Sequence, residues 1–277
     1  MRLAATIAFS FLIHGTASAV PIFLTNTQNQ LLNIDSASPG TISATVSITG
    51  LQLGENILGI DFRPANGILY GLGSSSRLYS INTQTGAASQ VGASGAFALS
   101  GSSFGFDFNP VPDRIRVVSN TGQNLRLNPN DGTLAATDAS LNPGTPNVSG
   151  AAYTNSFAGA ATTTLYVIDS TTDQLYIQSP PNNGTLTSVG ALGFDVTQSI
   201  SFDIAFPGNI GYAALQVGTG NSSLYTINLS TGAATLVGGI GSGQSITGLA
   251  TATPEPATFL MLGLGLGLFA VRKYRHR

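Results

Sequence analysis

A repeat of about 46 residues runs through most of this 277-residue chain and constrains its fold more than any other feature. Each repeat begins with a short segment whose third position is often Asp. The aligned segments are Gly59-Ile60-Asp61-Phe62, Gly105-Phe106-Asp107-Phe108, Gly150-Ala151-Ala152-Tyr153, Ser201-Phe202-Asp203-Ile204 and Thr247-Gly248-Leu249-Ala250. Their third positions are 46, 45, 51 and 46 residues apart. Spacing this regular indicates one structural unit that is used several times.

Each repeat also carries the signals of four β-strands. A turn such as Pro64-Ala65-Asn66-Gly67 follows the first segment, because Pro fixes φ and Gly or Asn accepts a left-handed backbone. Second and third strands come next, as in 68–71 and 77–82, and a Gly turn introduces the fourth, where 85–92 and 231–238 are near copies. Four strands in about 46 residues is the size of one β-propeller blade.

The two ends of this repeated body complement each other. Residues 22–50 hold only the last three strands of a repeat, with 31–35 in the third-strand place, and 246–250 can supply the missing first strand. We therefore predict an all-β fold, a β-propeller of five four-stranded blades closed by pairing of the first and last strands. A two-sheet sandwich or a β-solenoid is the alternative, although a sandwich does not require this period and a solenoid usually has a shorter one.

The first 19 residues have the three parts of a secretory signal peptide. Met1-Arg2 gives a charged start, residues 3–13 are largely apolar, and Ala17-Ser18-Ala19 is a small-x-small cleavage site. We expect residues 1–19 to be removed after Ala19, which leaves a body of residues 20–253.

Residues 254–277 have the organisation of a membrane-sorting signal. Pro254, Glu255 and Pro256 precede the uncharged stretch 257–271, which is long enough for a short transmembrane helix. The cations that stop such a helix, at roughly 2.5 to 3.5 kcal/mol each if they entered the bilayer, are Arg272, Lys273, Arg275 and Arg277. This arrangement resembles the PEP-CTERM sorting signal of Gram-negative bacteria.

The resemblance implies a route for the protein. It implies export through the inner membrane, a transient anchor there, recognition of Pro254, Glu255 and Pro256 by an exosortase, and transfer to the cell surface or extracellular matrix. An ordinary tail anchor that is never cut is the alternative, since an apolar helix with a basic flank obeys the positive-inside rule by itself. Both interpretations place the body outside the cytoplasm.

The body lacks several residue types on which enzymes depend. The chain has no Cys or Trp, and His14, His276 and Lys273 all lie in the terminal segments. Serine–histidine and cysteine–histidine catalysis, Schiff-base lysines, disulfides and the usual zinc sites are therefore excluded from the body. The body contains five arginines, ten aspartates and Glu55, which gives it a formal charge of −6. This negative charge argues against a nucleic-acid partner.

Three aspartates are a candidate cation site. Asp61, Asp107 and Asp203 occupy one place in three repeats, so a propeller brings them to a common radius and depth. A ring of carboxylates there could hold Ca²⁺, the only cofactor that the sequence suggests. The alternative is that each Asp caps a turn or accepts backbone N–H bonds within its own blade. Ala152 and Leu249 interrupt the ring.

Arg114, Arg116 and Arg126 are a candidate anion site. In a strand, Arg114 and Arg116 point to the same face. Guanidinium forks there could clasp an anionic sugar or a partner carboxylate. The alternative is a surface or interblade ion pair with Asp107, Asp113 or Asp131.

The body also resembles a family of secreted bacterial proteins of unknown function. The segments that carry the likeness include Gly59-Ile60-Asp61-Phe62-Arg63-Pro64, Gly105-Phe106-Asp107-Phe108-Asn109-Pro110 and Asp113-Arg114-Ile115-Arg116. The likeness covers most of residues 22–250 and implies export and fold, but no activity. We predict a non-catalytic envelope or matrix protein whose propeller binds polysaccharide or a surface protein. The alternative is a glycan-active enzyme that uses carboxylates alone, which requires two carboxyl groups about 5 to 10 Å apart in one pocket.

Overall fold

Short antiparallel strands provide nearly all the regular structure of the computed structural model, which describes residues 19–241, 243 and 245–252. The strands in this part of the chain are β1 (Pro21–Asn26), β2 (Gln30–Asp35), β3 (Ile42–Ser47), β4 (Ile57–Phe62), β5 (Leu69–Gly73), β6 (Arg77–Ile81), β7 (Ala88–Val91), β8 (Phe104–Asn109), β9 (Arg114–Ser119), β10 (Asn124–Leu127), β11 (Leu134–Thr137), β12 (Val148–Tyr153), β13 (Leu165–Asp169), β14 (Gln174–Gln178), β15 (Leu186–Ala191), β16 (Ile200–Ala205), β17 (Ile210–Leu215), β18 (Ser223–Ile227), β19 (Ala234–Gly239) and β20 (Ile246–Thr251). A single 3₁₀ turn at Pro181–Asn183 lies between β14 and β15.

These strands form five sheets of four strands each, and each sheet is one blade. Blade 1 has the order β20-β1-β2-β3, blade 2 is β4 to β7, blade 3 is β8 to β11, blade 4 is β12 to β15, and blade 5 is β16 to β19. The first strand of every blade contacts the first strands of both neighbouring blades, so β4, β8, β12, β16 and β20 form a closed inner ring. The predicted five-bladed propeller is confirmed, and the sandwich and solenoid alternatives are wrong.

Blade 1 closes the ring with strands from both ends of the body. β1 pairs antiparallel with β20, with Phe23 opposite Ala250 and Leu24 opposite Leu249. Just beyond this pair, the Ala252 amide donates to the carbonyl of Pro21 at 3.2 Å. The predicted pairing of the first and last strands is confirmed, and it gives β1 a partner on both edges, with β20 as the innermost strand of the blade.

Burial decreases from the inner strands to the outer ones. Every residue of β12 and β16 is buried, because neighbouring blades cover both faces of an inner strand. The outermost strands β3 and β19 are mostly exposed. The apolar core is therefore distributed among the interfaces between blades; one cluster, for example, joins Tyr70 and Leu72 of blade 2 to Phe106 and Phe108 of blade 3.

Glycines allow the inner strands to approach one another. A Cβ atom on Gly105 would lie 2.6 Å from the Cβ of Ala151, and one on Gly59 would lie 2.8 Å from the Cβ of Phe106. Real Cβ atoms do not approach so closely, so the tight inner ring depends on these positions remaining glycine.

The predicted terminal segments cannot be compared with the structure. The signal peptide before Ala19 and the sorting signal with its helix at 257–271 lie outside the described residues. Within the part of the chain that the structure does describe, no helix has the length and hydropathy needed to cross a membrane.

Candidate functional site

Three inner strands bring a carboxylate cluster together at the centre of the ring. Asp61 on β4, Asp107 on β8 and Asp203 on β16 are each 2 % exposed. One carboxylate oxygen from each lies within 4.8 Å of the corresponding oxygens of the other two. The structure thus brings together the three aspartates that the repeat placed at a common depth.

Each of these carboxylates is hydrogen-bonded to the next blade. An oxygen of Asp61 accepts the amide of Phe108 at 2.8 Å. Asp107 accepts the amide of Tyr153 at 3.1 Å. Asp203 accepts both the amide and the hydroxyl of Thr251, at 2.6 and 2.7 Å.

The same cluster also makes bonds within blades. Asp61 accepts the amide of Phe62 at 2.7 Å, and Asp203 accepts that of Ile204 at 2.6 Å. The expectation of bonds only within each blade is therefore incomplete, since the carboxylates also connect blade 2 to 3, blade 3 to 4 and blade 5 to 1. The sequence did not show these connections because it does not specify how closely neighbouring inner strands approach.

These bonds correct the sequence alignment at β20 by one residue. The amide that bonds to each Asp belongs to the residue after the aligned position, as Phe108 follows Asp107 and Tyr153 follows Ala152. By the same rule Thr251 follows Ala250, so Ala250 rather than Leu249 is the equivalent of Asp61. Matching Gly248 to Gly59 would have found this register from the sequence.

Burial sets the electrostatics of the cluster. It raises the pKa of Asp61 and Asp107 well above the usual range, and negative charge on the neighbouring carboxylates raises both further. Burial also raises the pKa of Asp203, while the bonds from Thr251 act in the opposite direction. Among the described residues, the ion pairs of the arginines go to Glu55, Asp113 and Asp138, so none reaches this cluster.

The three predicted arginines meet at a second site, which we call the arginine pocket. It is a cavity of about 260 Å³ where blade 3 meets the loop between β14 and β15 of blade 4. The residues that line it are Asn109, Pro112, Arg114, Ile115, Arg116, Arg126, Tyr153, Pro181 and Asn182. The expectation that Arg114 and Arg116 share a face is consistent with this common cavity.

Asp138 holds two of these arginines. Arg116 donates to it at 2.6 Å and Arg126 donates at 2.7 and 2.9 Å. The Arg116 side chain is 2 % exposed, whereas that of Arg126 is 32 % exposed. The predicted partners Asp107, Asp113 and Asp131 are wrong for both arginines, because the loop after β11 brings Asp138 closer. Asp113 pairs instead with Arg63.

The positive charge of Arg114 is not balanced by an ion pair within the pocket. Its guanidinium donates to the backbone carbonyl of Asp113 at 2.9 Å and to that of Pro112 at 3.4 Å, and it has no ion pair with a described carboxylate. Burial raises the pKa of Asp138, but hydrogen bonds from Arg126 and Arg116 outweigh burial and lower it overall. Three guanidinium groups therefore line the pocket and Asp138 is their one ion-pair partner among the described residues, while Asp131 attracts Arg114 more weakly from outside it.

Sequence reasoning did not find three further residues of these sites. Tyr153 connects them, since its amide bonds to Asp107 and its hydroxyl lies 3.4 Å from the Nε of Arg116. Asn182 accepts from Arg116 at 2.8 Å, and Asn124 accepts from it at 2.7 Å. No local motif marks these residues, because Tyr153 and Asn182 reach Arg116 from another blade.

Two sequence families match this chain. Residues 30–250 match a family described as "Domain of unknown function (DUF4394)". The chain belongs to the DUF4394 family. Residues 252–275 match the PEP-CTERM protein-sorting motif, so this DUF4394 protein is exported, anchored transiently in the membrane and sorted by an exosortase. No curated protein matches the chain at a significant level.

Several solved structures are distantly similar to this chain. One is dihydro-heme d1 dehydrogenase NirN in complex with DHE, at 12 % identity and TM-score 0.39, covering 78 % of this chain and 43 % of that one. Another is from a nidogen/laminin complex, at 14 % and 0.44, covering 85 % and 98 %. A third is a protein of unknown function from Bacteroides thetaiotaomicron, at 11 % and 0.45, covering 83 % and 63 %. The chain thus spans less than half the length of the first, and likenesses this distant carry no functional argument.

Proposed function

We propose that this exported protein is a non-catalytic component of the cell surface or extracellular matrix, and that its propeller binds an acidic polysaccharide in the arginine pocket. The observation that carries the proposal is the excess of guanidinium groups over carboxylates around one cavity. A uronate carboxylate matches the planar, two-donor fork of Arg114, whose other partners are backbone carbonyls.

The walls of the pocket suit a sugar ring. Pro112 and Pro181 offer apolar surfaces for the C–H face of a pyranose, while the exposed Asn182 offers a polar group for its hydroxyls. A volume of about 260 Å³ lies just below the range of about 300 to 1,000 Å³ for small-molecule pockets. We therefore infer that the pocket takes a single charged sugar residue of a longer chain.

Because the body as a whole is acidic, attraction of an acidic polymer is confined to the arginine pocket. Away from the pocket its negative charge repels an acidic polymer, but exposed charges further apart than about 8 Å are largely screened at physiological salt. Binding then depends on the arginines that touch the sugar. This favours a weak interaction at each site, and many copies of the protein along one polymer would strengthen it through multivalency.

The carboxylates of the axial cluster support the non-catalytic part of the proposal. One oxygen of each lies within 4.8 Å of the others, closer than the about 5 to 10 Å that a glycosidase pair requires, and all three are 2 % exposed. The axial cavity, which is lined by residues preceding them on the inner strands, has a volume of about 10 Å³, about the room that one water needs. A sugar ring cannot reach the pair of carboxylates that a glycosidase mechanism requires.

Binding of the mature protein to immobilised polygalacturonate, with neutral dextran as the reference, tests the proposal. We expect salt-sensitive binding to the polyuronate alone. Arg114→Gln should weaken it about tenfold or more, because a hydrogen-bonded charge contributes about 1.5 to 3 kcal/mol. Arg77→Gln removes the same charge outside the pocket, from an ion pair with buried Glu55, and is the control for loss of positive charge.

Three results would contradict the proposal: equal binding to dextran, no binding to either polymer, or an Arg114→Gln variant that binds like the unmodified protein. Melting curves of both variants establish that they are folded before binding is compared.

A further inference from the structure

Two buried hydroxyl groups on inner strands have no hydrogen-bond partner in the described part of the chain. Ser201 is 6 % exposed and Ser149 is fully buried, and neither hydroxyl has a hydrogen-bond partner among the described residues. Both line the axial cavity. A buried hydroxyl left without a partner costs free energy, so these two positions indicate a polar group that the protein chain does not supply.

Ser201 is aimed at the same side of the inner ring as the carboxylates. It precedes Asp203 by two residues on β16, so their side chains leave the strand on the same side, about 7 Å apart along it. The equivalent residues in the other blades are Gly59, Gly105, Gly150 and Gly248, which have no side chains. The hydroxyl therefore faces the axial cavity, whose volume of about 10 Å³ has room for about one water.

We propose that Asp61, Asp107 and Asp203 bind one divalent cation on the propeller axis, with Ca²⁺ as the best fit. A water in the axial cavity, hydrogen-bonded by Ser201 and Ser149, is a further ligand. One oxygen of each carboxylate lies within 4.8 Å of the other two, and carboxylate and water oxygens are the hard ligands that Ca²⁺ takes.

The number of carboxylates favours one hard cation over another. Ca²⁺ takes about six to eight oxygen ligands in flexible geometry. Mg²⁺ demands near-ideal octahedral geometry, keeps several waters and is usually bound through one or two carboxylates. Three carboxylates that converge within 4.8 Å of one another therefore suit Ca²⁺ better.

The cation would connect three blades through one point. The carboxylates come from blades 2, 3 and 5, and among the described residues no arginine compensates their charge. When the three carboxylates are ionised, a divalent ion offsets two of their negative charges in the low-dielectric centre of the ring. Its site does not overlap the arginine pocket, so the proposal does not depend on what that pocket binds.

Calorimetric titration of the mature protein, stripped with EGTA and then given CaCl₂ or MgCl₂, tests the site. We expect about one Ca²⁺ per chain, weaker binding of Mg²⁺, and a rise of several degrees in the unfolding temperature with Ca²⁺. Asp107→Asn keeps an acceptor for the Tyr153 amide but removes a charge, and should weaken Ca²⁺ binding at least tenfold. Asp131→Asn, which alters an exposed carboxylate, is the matched control and should bind like the unmodified protein.

Ser201→Ala keeps the test decisive if Asp107→Asn does not fold. Its hydroxyl makes no hydrogen bond with the described protein, so the variant should fold normally and bind Ca²⁺ several-fold more weakly. An unmodified protein that binds no Ca²⁺ at millimolar concentration would overturn the proposal. So would an Asp107→Asn variant that binds Ca²⁺ as tightly as the unmodified protein.

Discussion

At the scale of single residues, buried charge in the arginine pocket is held by specific partners. Arg116 is almost fully buried and donates to Asp138, Asn124 and Asn182. Removing one member of such a pair leaves the other charge buried without compensation, and this costs more than the pair itself contributes. Asp138 is therefore the residue on which the pocket's shape depends most.

Asp138→Asn should lower the free energy of unfolding by on the order of 3 kcal/mol, because Arg116 then lacks its counter-charge. Urea denaturation measures the change. Asp131→Asn, on the exposed turn before β11, should change it by less than about 0.5 kcal/mol. Equal effects of the two substitutions would show that the buried ion pair adds nothing.

The pH dependence gives a second readout of the same substitution. The pKa of Asp138 is lowered on folding, so its stabilising contribution is present above its unfolded pKa of about 3.9 and is lost as pH falls through the folded value. The difference in stability between the unmodified protein and Asp138→Asn should shrink below about pH 4. A difference that stays constant down to pH 2 would contradict this assignment.

At the scale of secondary-structure elements, the inner strands form the densest part of the fold. Each is covered by its neighbours on both faces, and small residues in the row of Gly59, Gly105, Gly150 and Gly248 permit the close contact. The outer strands have no such constraint. Equivalent substitutions should therefore have very different effects on β8 and on β19.

Gly105→Ala should destabilise the protein by about 1 to 3 kcal/mol, because the new methyl group would lie 2.7 Å from the backbone nitrogen of Ala151 and force two blades apart. Thermal and urea unfolding measure the loss. Gly239→Ala on β19 is the control, since nothing lies within 4 Å of its new Cβ, and it should be close to neutral. If both variants unfold alike, the inner ring has room for a methyl group at residue 105.

At the scale of the whole molecule, stability depends on closing the ring. β20 pairs with β1, contacts β4 and β16 in the inner ring, and carries Thr251, which bonds to Asp203. One strand at the end of the body thus completes blade 1 and its interfaces with blades 2 and 5.

Truncation after Ser245 removes β20, which opens the ring and exposes the edge of β1. The shortened protein should therefore show no cooperative melting transition at room temperature or above. Circular dichroism melting of the mature protein measures this. Truncation after Ala252 removes only the sorting tail and should leave the melting curve unchanged. A cooperative transition in the shorter protein at the same temperature would show that the closing strand is dispensable.

The sequence alone determined the number of blades, their strand order and the way the ring closes. Those features come from local strand patterns that recur in each repeat, and from two incomplete repeats that complement each other. It also predicted that Asp61, Asp107 and Asp203 lie at one depth, because equivalent positions in a propeller share a radius.

Only the tertiary structure decided which groups meet across blades. Asp138 as the partner of Arg116, Tyr153 as the link between the two sites, and Ala250 as the equivalent of Asp61 all follow from how neighbouring blades pack. The sequence placed the aspartates on the axis but did not show that they are enclosed. Burial and charge compensation depend on distances between strands far apart in the chain, and those distances are set by packing between blades rather than by the pattern within any one repeat.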